Sequence, residues 1–453
     1  MIERGRAFRG MAAMNLSDEV QGYRNVLAVV AGLTGLQTAT AAMAVVVALT
    51  LKADGASSAT IGAVASGFAL GFLLGALISP AEIRRIGHIR SYALFAALAS
   101  LAALAFSLGL HPVYWAMLQA VLGFCFAAIL AAGESWVADA SPPHRRGAIL
   151  SFYHLVSKAG AAIGPFLVAG VAGGLGGFMV VAALFTLCLM PIAATNKAQP
   201  VFSSASPFGP RKLLKHAPAA AYSAFIAGVV NNAVAQLYPV FASSIQPDRP
   251  NLFAAEFNAA LLAGAMVALW PAGLLSDRID RRMVIALLAG TGAAAALAIV
   301  FLVQVHTGTG LLILAGLFGG GSLSYYAIAV AHAADRAEAD QATSMMAGIL
   351  VIWGLGSILG PALAGLVMSL PLGAPGLFAF SGVMLAGLGI LMFTRAVNSD
   401  PVPEAEKEPF AVSPATSFAV AEFDPRGSEE EQLDLFDDFD PVAEPAPQPE
   451  AEA

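Results

Sequence analysis

The sequence contains little charge. Of its 453 residues, 12% are Asp, Glu, Lys or Arg, while 58% are hydrophobic. A soluble globular chain is about one quarter charged and roughly half apolar, so the composition excludes that class. The mean hydropathy is +0.75, and apolar runs of about 20 residues, enough to cross a bilayer as a helix, recur along the chain. The sequence therefore predicts an all-α membrane protein, with the lipid bilayer as one of its partners.

Cysteines and reactive clusters are scarce as well. Cys125 and Cys188 both lie inside apolar runs, so a disulfide framework is not indicated. No nucleophile triad, metal-ligand spacing or nucleotide loop emerges, and we predict no enzyme activity, no cofactor, no metal and no nucleic-acid partner. Acidic residues are absent from the middle of the predicted spans. This absence favours an anionic or neutral amphipathic small-molecule substrate over a polycation.

Twelve apolar segments are predicted to be transmembrane helices. They are 25–51, 59–80, 91–110, 113–138, 147–171, 174–195, 217–244, 253–275, 283–305, 309–332, 342–369 and 374–397. The longest break divides them six and six. The predicted domains are an N-terminal leader (1–24), a six-helix bundle (25–195), a linker (196–216), a second six-helix bundle (217–397) and a tail (398–453).

The distribution of basic residues predicts the orientation. One set of alternate loops holds thirteen Lys and Arg residues, and the other holds only Lys52 and Arg249. Because cytoplasmic loops are enriched in Lys and Arg, both termini, the leader and the linker are predicted to be cytoplasmic, in a bacterial inner membrane.

The tail differs from the rest of the chain. It has sixteen acidic residues and two basic ones, which leaves residues 1–397 with a charge of +7 within the net −7. A segment that is acidic and rich in Pro and Ala is predicted to be disordered. It is either an inert solvated tail or a weak protein-partner segment, since SEEEQLDLFDDFD (428–440) interleaves apolar and acidic residues.

The two halves resemble each other. GAAIGP at 160–165 matches GSILGP at 356–361, an offset of 196, which also places Asp139 on Asp335. Gly75 falls near Gly273 at an offset of 198. These landmarks predict a parallel duplication, and repeats of this kind build transporters whose site lies at the repeat interface near the bilayer midplane.

A loop in the second half resembles a family signature. GLLSDRIDRR (273–282) is similar to G-x-L-[AS]-D-R-x-x-R-R of the major facilitator superfamily, and it lies between the eighth and ninth spans. The first copy, GALISPAEIRRIGHIRSY (75–92), has Ser79 where Asp is expected but keeps Arg84 and Arg85. RRIGHIRSY, ESWVADASPPHRRG (134–147) and WPAGLLSDR resemble the little-characterised YcaD-type bacterial branch. The resemblance covers about residues 25–397.

The resemblance implies a secondary active transporter of two six-helix bundles. It would move a small solute by rocker-switch alternating access, with protons as one candidate coupling ion. The alternative is a non-transporting membrane sensor or scaffold that acts through the acidic tail.

The loop itself has two interpretations. Arg278, Arg281 and Arg282 can simply anchor two spans at the cytoplasmic surface. In the family, however, the residue at the position of Asp277 faces the N-terminal end of a helix from the opposite half, where an anion gains about 0.3–1 kcal/mol. Asp277 would then be a conformational latch on the start of the fifth span, near 147–151, with Gly273 thinning the helix before it.

Two charged groups lie within predicted spans. Glu134 is predicted to pair with Arg84, Arg85, Arg145 or Arg146, either as a structural ion pair at the cytoplasmic face or in proton coupling. Lys158 lies near the middle of the fifth span, where a charge costs on the order of 2.5–3.5 kcal/mol and implies a wet cavity. His154 lies one turn away on the same face. The pair would bind an anionic group or exchange protons, or Lys158 would form a structural bridge to Glu134 or to polar groups of the eighth span.

Polar and aromatic residues at similar depth complete the predicted cavity. In the superfamily, spans 1, 4, 7 and 10 line it. The residues proposed to bind substrate are Gln37, His154, Lys158, Asn232, Gln236, Tyr326 and Trp353. Each polar one has the alternative role of holding neighbouring helices together.

Overall fold

The structure, a computed structural model, describes residues 2–139, 141, 146–193, 209–303, 308–336 and 342–398, and the described part is helical. The helices are α1 (Ile2–Ala53), α2 (Ser58–Ile86), α3 (His88–Ala105), α4 (Pro112–Asp139), α5 (Arg146–Val168), α6 (Leu175–Ala193), α7 (Pro210–His216), α8 (Pro218–Ile245), α9 (Pro250–Arg278), α10 (Arg281–Leu302), α11 (Thr309–Ala334), α12 (Ala342–Met368) and α13 (Gly376–Asn398). α1 continues backwards through the predicted leader. The predicted acidic tail lies outside the described residues apart from Asn398.

Local signals fix where several helices begin. The Ser57 hydroxyl accepts a hydrogen bond from the backbone N–H of Thr60 at 3.1 Å and caps α2. Asp280 caps α10 in the same way, accepting from the N–H of Arg282 at 2.8 Å. Such side chains satisfy N–H groups that have no partner within the helix. α7, α8 and α9 each begin with a proline, whose fixed φ suits the first helical turn.

Eleven of the described helices are long and apolar enough to cross a membrane. The prediction of an all-α protein with many spans is therefore confirmed, whereas the predicted count of twelve is not, since the described residues contain eleven such helices. The remaining long helix is α5, in which His154, Ser157 and Lys158 interrupt the apolar pattern. α2 also differs from the prediction, because it continues through Pro80 to Ile86 and ends in two arginines that suit the negative end of a helix.

The helices pack as two groups with the same internal pattern. In the first, α1 contacts α5 and α6, α2 contacts α4, and α3 contacts α4 and α6. In the second, α8 contacts α12 and α13, α9 contacts α11, and α10 contacts α11 and α13. The arrangement corresponds to two copies of one six-helix unit.

Glycines at equivalent positions support the duplication. Gly160 and Gly164 lie against backbone carbonyls of α1, and Gly356 and Gly360 lie against backbone carbonyls of α8, both pairs at the offset of 196. A side chain at any of these four positions would collide with the neighbouring helix. Small residues let helices in a membrane approach this closely.

The contacts of α2 and α9 correct one predicted register. Gly71 packs on Ala120, and Gly264 packs on Gly316, so α2 and α9 correspond at an offset of 193. The predicted offset of 198 for Gly75 is wrong. At the corrected offset, Asp277 corresponds to Arg84 and not to Ser79.

Candidate functional site

The two halves are joined by hydrogen bonds at one end of the molecule, which we call the sealed end (loops 54–57, 246–249 and 369–375). There the Lys52 ammonium of α1 donates to the hydroxyls of Ser243 and Ser244 of α8, both at 2.7 Å, and to the carbonyl of Val240 at 3.3 Å. Lys52 thus connects the last turns of the two innermost helices.

Two further seams close the sealed end. Between α2 and α12, the N–H of Ala59 donates to the Ser369 hydroxyl at 3.0 Å, and Gly62 lies directly against the backbone of Pro361. Between α9 and α5, the Asn251 amide donates to two carbonyls at the end of α5, at 2.9 and 3.0 Å. Asn258 donates to the carbonyl of Ala161 at 3.0 Å.

The opposite end, which we call the basic end, carries Gly87, loop 279–280 and residues 335–336. Between described residues of the two halves, hydrogen bonds occur only from the sealed end to the level of Asn258. The described residues of α4, in the first half, hardly touch those of α11, in the second half. Among the described residues, the halves are therefore hydrogen-bonded to each other at the sealed end and not at the basic end.

A small pocket lies inside the first half, where α1, α4 and α6 meet α8 of the second half. Thr40 of α1, Gln119 of α4 and Gln236 of α8 supply its polar lining, and Phe68 contributes to its apolar wall. Gln236 was predicted to bind substrate, whereas Gln119 was not predicted because it lies near the start of a strongly apolar span.

An aromatic group connects the halves next to α12. The ring of Trp353 lies edge-on to Phe72 of α2, with centroids 5.6 Å apart, and 6.2 Å from the ring of Tyr326. The predicted site residues Trp353 and Tyr326 are thus neighbours. Asn232 donates its amide to the carbonyl of Ser357 at 2.8 Å, which joins α8 to α12. Gln37 is half-buried on α1.

α5 carries the second polar group. Glu134 is fully buried and accepts a hydrogen bond from the Tyr153 hydroxyl at 2.8 Å, a partner that the sequence did not predict. Lys158 makes no ion pair with Glu134, so the predicted structural bridge between them is wrong. The Lys158 side chain is exposed, and it lies one turn from the buried ring of His154.

The predicted gating loop contains a buried ion pair. Arg281, the first residue of α10, is 1% exposed and donates to both carboxylate oxygens of Asp335 at 2.6 and 3.1 Å. A weaker contact of 3.8 Å joins Arg281 to Asp277, which is 34% exposed. Arg281 is therefore held inside the protein at the start of α10, and its role in anchoring the span at the cytoplasmic side stays a prediction. Asp335 was identified from the repeat, but its pairing with Arg281 was missed.

The remaining basic residues of this end are placed differently. Arg282 is buried and bonds to Asp280 at 2.6 Å. Burial raises the pKa of the Asp280 carboxyl, but the hydrogen bonds from Arg282 outweigh burial and hold that pKa below its usual value. Arg278 and Arg84 are exposed, and the exposed Arg85 pairs with Glu82 at 3.0 Å. Gly273 is buried, and the side chains of residues 145–148, where partners of Glu134 and Asp277 were predicted, lie outside the described residues.

Comparison with known proteins identifies related sequences. A sequence profile of the Major Facilitator Superfamily matches residues 27–270 and 252–425. An uncharacterised MFS-type transporter YcaD of Salmonella typhi is 26% identical over 387 residues, which cover 84% of this chain and 98% of the relative. The YcaD protein of Salmonella newport (strain SL254) is 26% identical over 350 residues, or 76% and 89% of the two chains.

Solved transporters share the fold. A mutant of the nucleoside transporter NupG superposes with a TM-score of 0.68 at 13% identity, covering 82% of this chain and 99% of that one. A bacterial homologue of the human lysosomal transporter Spinster, in an inward-facing and occupied conformation, gives a TM-score of 0.65 at 16% identity, covering 84% and 97%. These findings indicate a transporter and not an enzyme, and they do not favour a scaffold.

Proposed function

Because the chain belongs to the major facilitator superfamily and is similar to its YcaD-type members, we propose that it is a secondary active transporter that works by alternating access. It would move a small anionic or amphipathic solute across a bacterial inner membrane. The observation that carries the proposal is the geometry of the two halves, which, among the described residues, are hydrogen-bonded to each other at the sealed end and not at the basic end. With the termini in the cytoplasm, this conformation would be the inward-facing one. α5 would cross the membrane as well, which would bring the number of spans from eleven to twelve.

The solute site would lie between the halves at mid-depth. Thr40 and Gln236 line the pocket where α1 meets α8, and Lys158 supplies a positive charge that has no hydrogen-bond or ion-pair partner among the described residues. The residues proposed to contact the solute are Gln37, His154, Lys158, Asn232, Gln236, Tyr326 and Trp353. Thermal stabilisation of the purified protein by anionic metabolites and drugs is measured at two pH values. A stabilisation that changes between the two pH values would support a proton as the coupling ion.

Asp277 would control the conformational equilibrium. It is partly exposed at the basic end, where closing the halves brings α5 towards α9. A latch on the positive end of α5 would stabilise the outward-facing state by roughly 0.3–1 kcal/mol. A contact that formed in one state only would shift the population between the two states.

Thiol accessibility tests both claims without knowledge of the solute. Thr40→Cys, in a chain whose Cys125 and Cys188 are replaced by Ala, reports on the sealed end. We expect an impermeant maleimide added from the periplasm to label it slowly, and Asp277→Asn to slow labelling by roughly two- to fivefold. Glu82→Gln, at a partly exposed acid near the end of α2, is the control. A reporter that is never labelled from the periplasm contradicts alternating access, and unchanged labelling in Asp277→Asn contradicts the latch.

A further inference from the structure

The two seams between the halves differ in length. The α2–α12 seam begins at Ala59 and Ser369 and is still closed at the ring contact between Phe72 and Trp353, about 20 Å along the helix axis at 1.5 Å per residue. The last hydrogen bond of the α5–α9 seam is that of Asn258, about 10 Å from its beginning by the same measure.

Beyond Asn258, α9 loses its neighbour. None of the ten residues 262–271 is buried, although one side of this stretch still packs on α11 through Gly264. In an apolar 18-residue stretch of α9, 28% of the residues are buried, against 56% in α2. Because α2 and α9 are equivalent helices of the repeat, the difference shows that α5 does not cover α9 as α12 covers α2.

Lys158 lies at the point where the helices part. It precedes Ala161, the acceptor for Asn258, by three residues, so it occupies the same face one turn nearer the basic end. Its ammonium has no hydrogen-bond or ion-pair partner among the described residues. On the next turn of that face, His154 is 8% exposed, and its buried Nε2 atom has no hydrogen-bond partner. The Lys158 ammonium thus lies without a partner where a cleft opens between α5 and α9, and the buried His154 ring lies one turn away.

The walls of the cleft are apolar. On α9 they are Leu262, Ala265 and Leu269, which follow Asn258 at four, seven and eleven residues and therefore share its face. All three are half-buried. On α5 the outer edge is Leu155, which is 51% exposed. The cleft combines a positive charge at its inner end with hydrocarbon towards the membrane.

We propose that the cleft between α5 and α9 is a lateral portal through which an amphipathic anion, an acidic head on a single alkyl chain, enters the cavity from the cytoplasmic leaflet. The head would pair with Lys158, while the chain lies against Leu262 and Ala265. The pairing removes the cost of an isolated ammonium in hydrocarbon. The direction of entry rests on the proposed function, and the binding chemistry does not.

Photo-crosslinking of the full chain in nanodiscs tests the portal. The probe is a C16 carboxylate that carries a diazirine on its chain. We expect saturable adducts on the peptides around Lys158 and Ala265, displaced by palmitate but not by methyl palmitate or butyrate. Lys158→Gln should weaken displacement by palmitate about tenfold, and Lys158→Arg should preserve it, because the charge-assisted contact is retained.

Two bulky substitutions on α9 separate the cleft from the outer lipid surface. Ala265→Trp narrows the cleft without changing Lys158 and should abolish the adducts. Val267→Trp adds a similar ring where α9 is 76% exposed and should leave them unchanged. Equal effects of the two, or unsaturable adducts at every exposed apolar position, mean bulk lipid and overturn the portal.

The competitors separate the possible sources of the anion. Displacement by butyrate as effective as that by palmitate indicates a water-soluble anion and overturns entry from the leaflet. Failure of crosslinking with intact alternation in the Thr40→Cys assay rejects only this inference. Absence of alternation with intact crosslinking rejects the proposed transport function instead.

Discussion

Removing Asp335 is expected to destabilise the second bundle strongly. Arg281 is 1% exposed, and it donates two hydrogen bonds to the carboxylate of Asp335. Breaking a buried ion pair on one side costs about 3–5 kcal/mol because it leaves an uncompensated charge. Asp277 and the Ser276 hydroxyl, at 3.8 and 3.4 Å from Arg281, would relieve part of that cost. We therefore expect Asp335→Ala to lower the free energy of unfolding by about 3 kcal/mol, the low end of that range.

The measurement is SDS-titration unfolding in mixed micelles, followed by circular dichroism. Glu82→Ala is the control, because its partner Arg85 is 74% exposed and an exposed pair contributes only about 0.2–1 kcal/mol.

A double substitution tests the mechanism of the loss. Arg281→Met with Asp335→Leu removes both charges and fills similar volume, so it should cost less than Asp335→Ala alone. The single variants Arg281→Met and Asp335→Leu are measured beside the double variant. If Asp335→Ala costs under about 1 kcal/mol, the ion pair is not a strong buried one. If the losses of the two single variants add up to the loss of the double variant, the two residues are not coupled.

Three other outcomes follow from the packing. Tyr153→Phe removes a hydrogen-bond donor from the buried carboxylate of Glu134 and should cost about 1–3 kcal/mol in the same titration; an unchanged unfolding curve contradicts this. Gly62→Leu forces a side chain into the backbone of Pro361 and should increase labelling of the Thr40→Cys reporter from the periplasm. Labelling as slow as without Gly62→Leu would contradict a tight α2–α12 seam. Lys52→Met loses three hydrogen bonds across the halves and should open the sealed end several-fold, whereas Lys52→Arg should open it less.

The predictions that succeeded rest on local properties of the chain. An apolar run determines that a segment is helical wherever it lies, which is why the all-α class and eleven spans were predictable. α5 was placed correctly even though His154 and Lys158 make it less apolar. The Gly-Pro pairs were informative for a related reason, because a glycine that touches a neighbouring backbone cannot be replaced without separating two helices.

The failures concern pairs that are distant in sequence. Arg281 and Asp335 are separated by 54 positions, and their contact depends on how the start of α10 meets the end of α11. Glu134 of α4 accepts a hydrogen bond from Tyr153, which lies on the next helix, α5. Nothing in the local sequence distinguishes Asn258, whose amide crosses between the halves, from any other polar residue of a span.

The duplicated halves have equivalent helices but unequal seams, and the residue types explain the inequality. At the repeat offset of 193, Asn251 corresponds to Ser58. Ser58 lies where Gly365 brings two backbones together, whereas Asn251 reaches α5 through the length of its side chain. A backbone contact through glycine requires close, parallel packing that persists along the helices, while an amide contact tolerates helices that diverge beyond it. The α2–α12 seam is therefore suited to act as the pivot between the halves and the α5–α9 seam as the opening side, which places the wider motion next to Lys158.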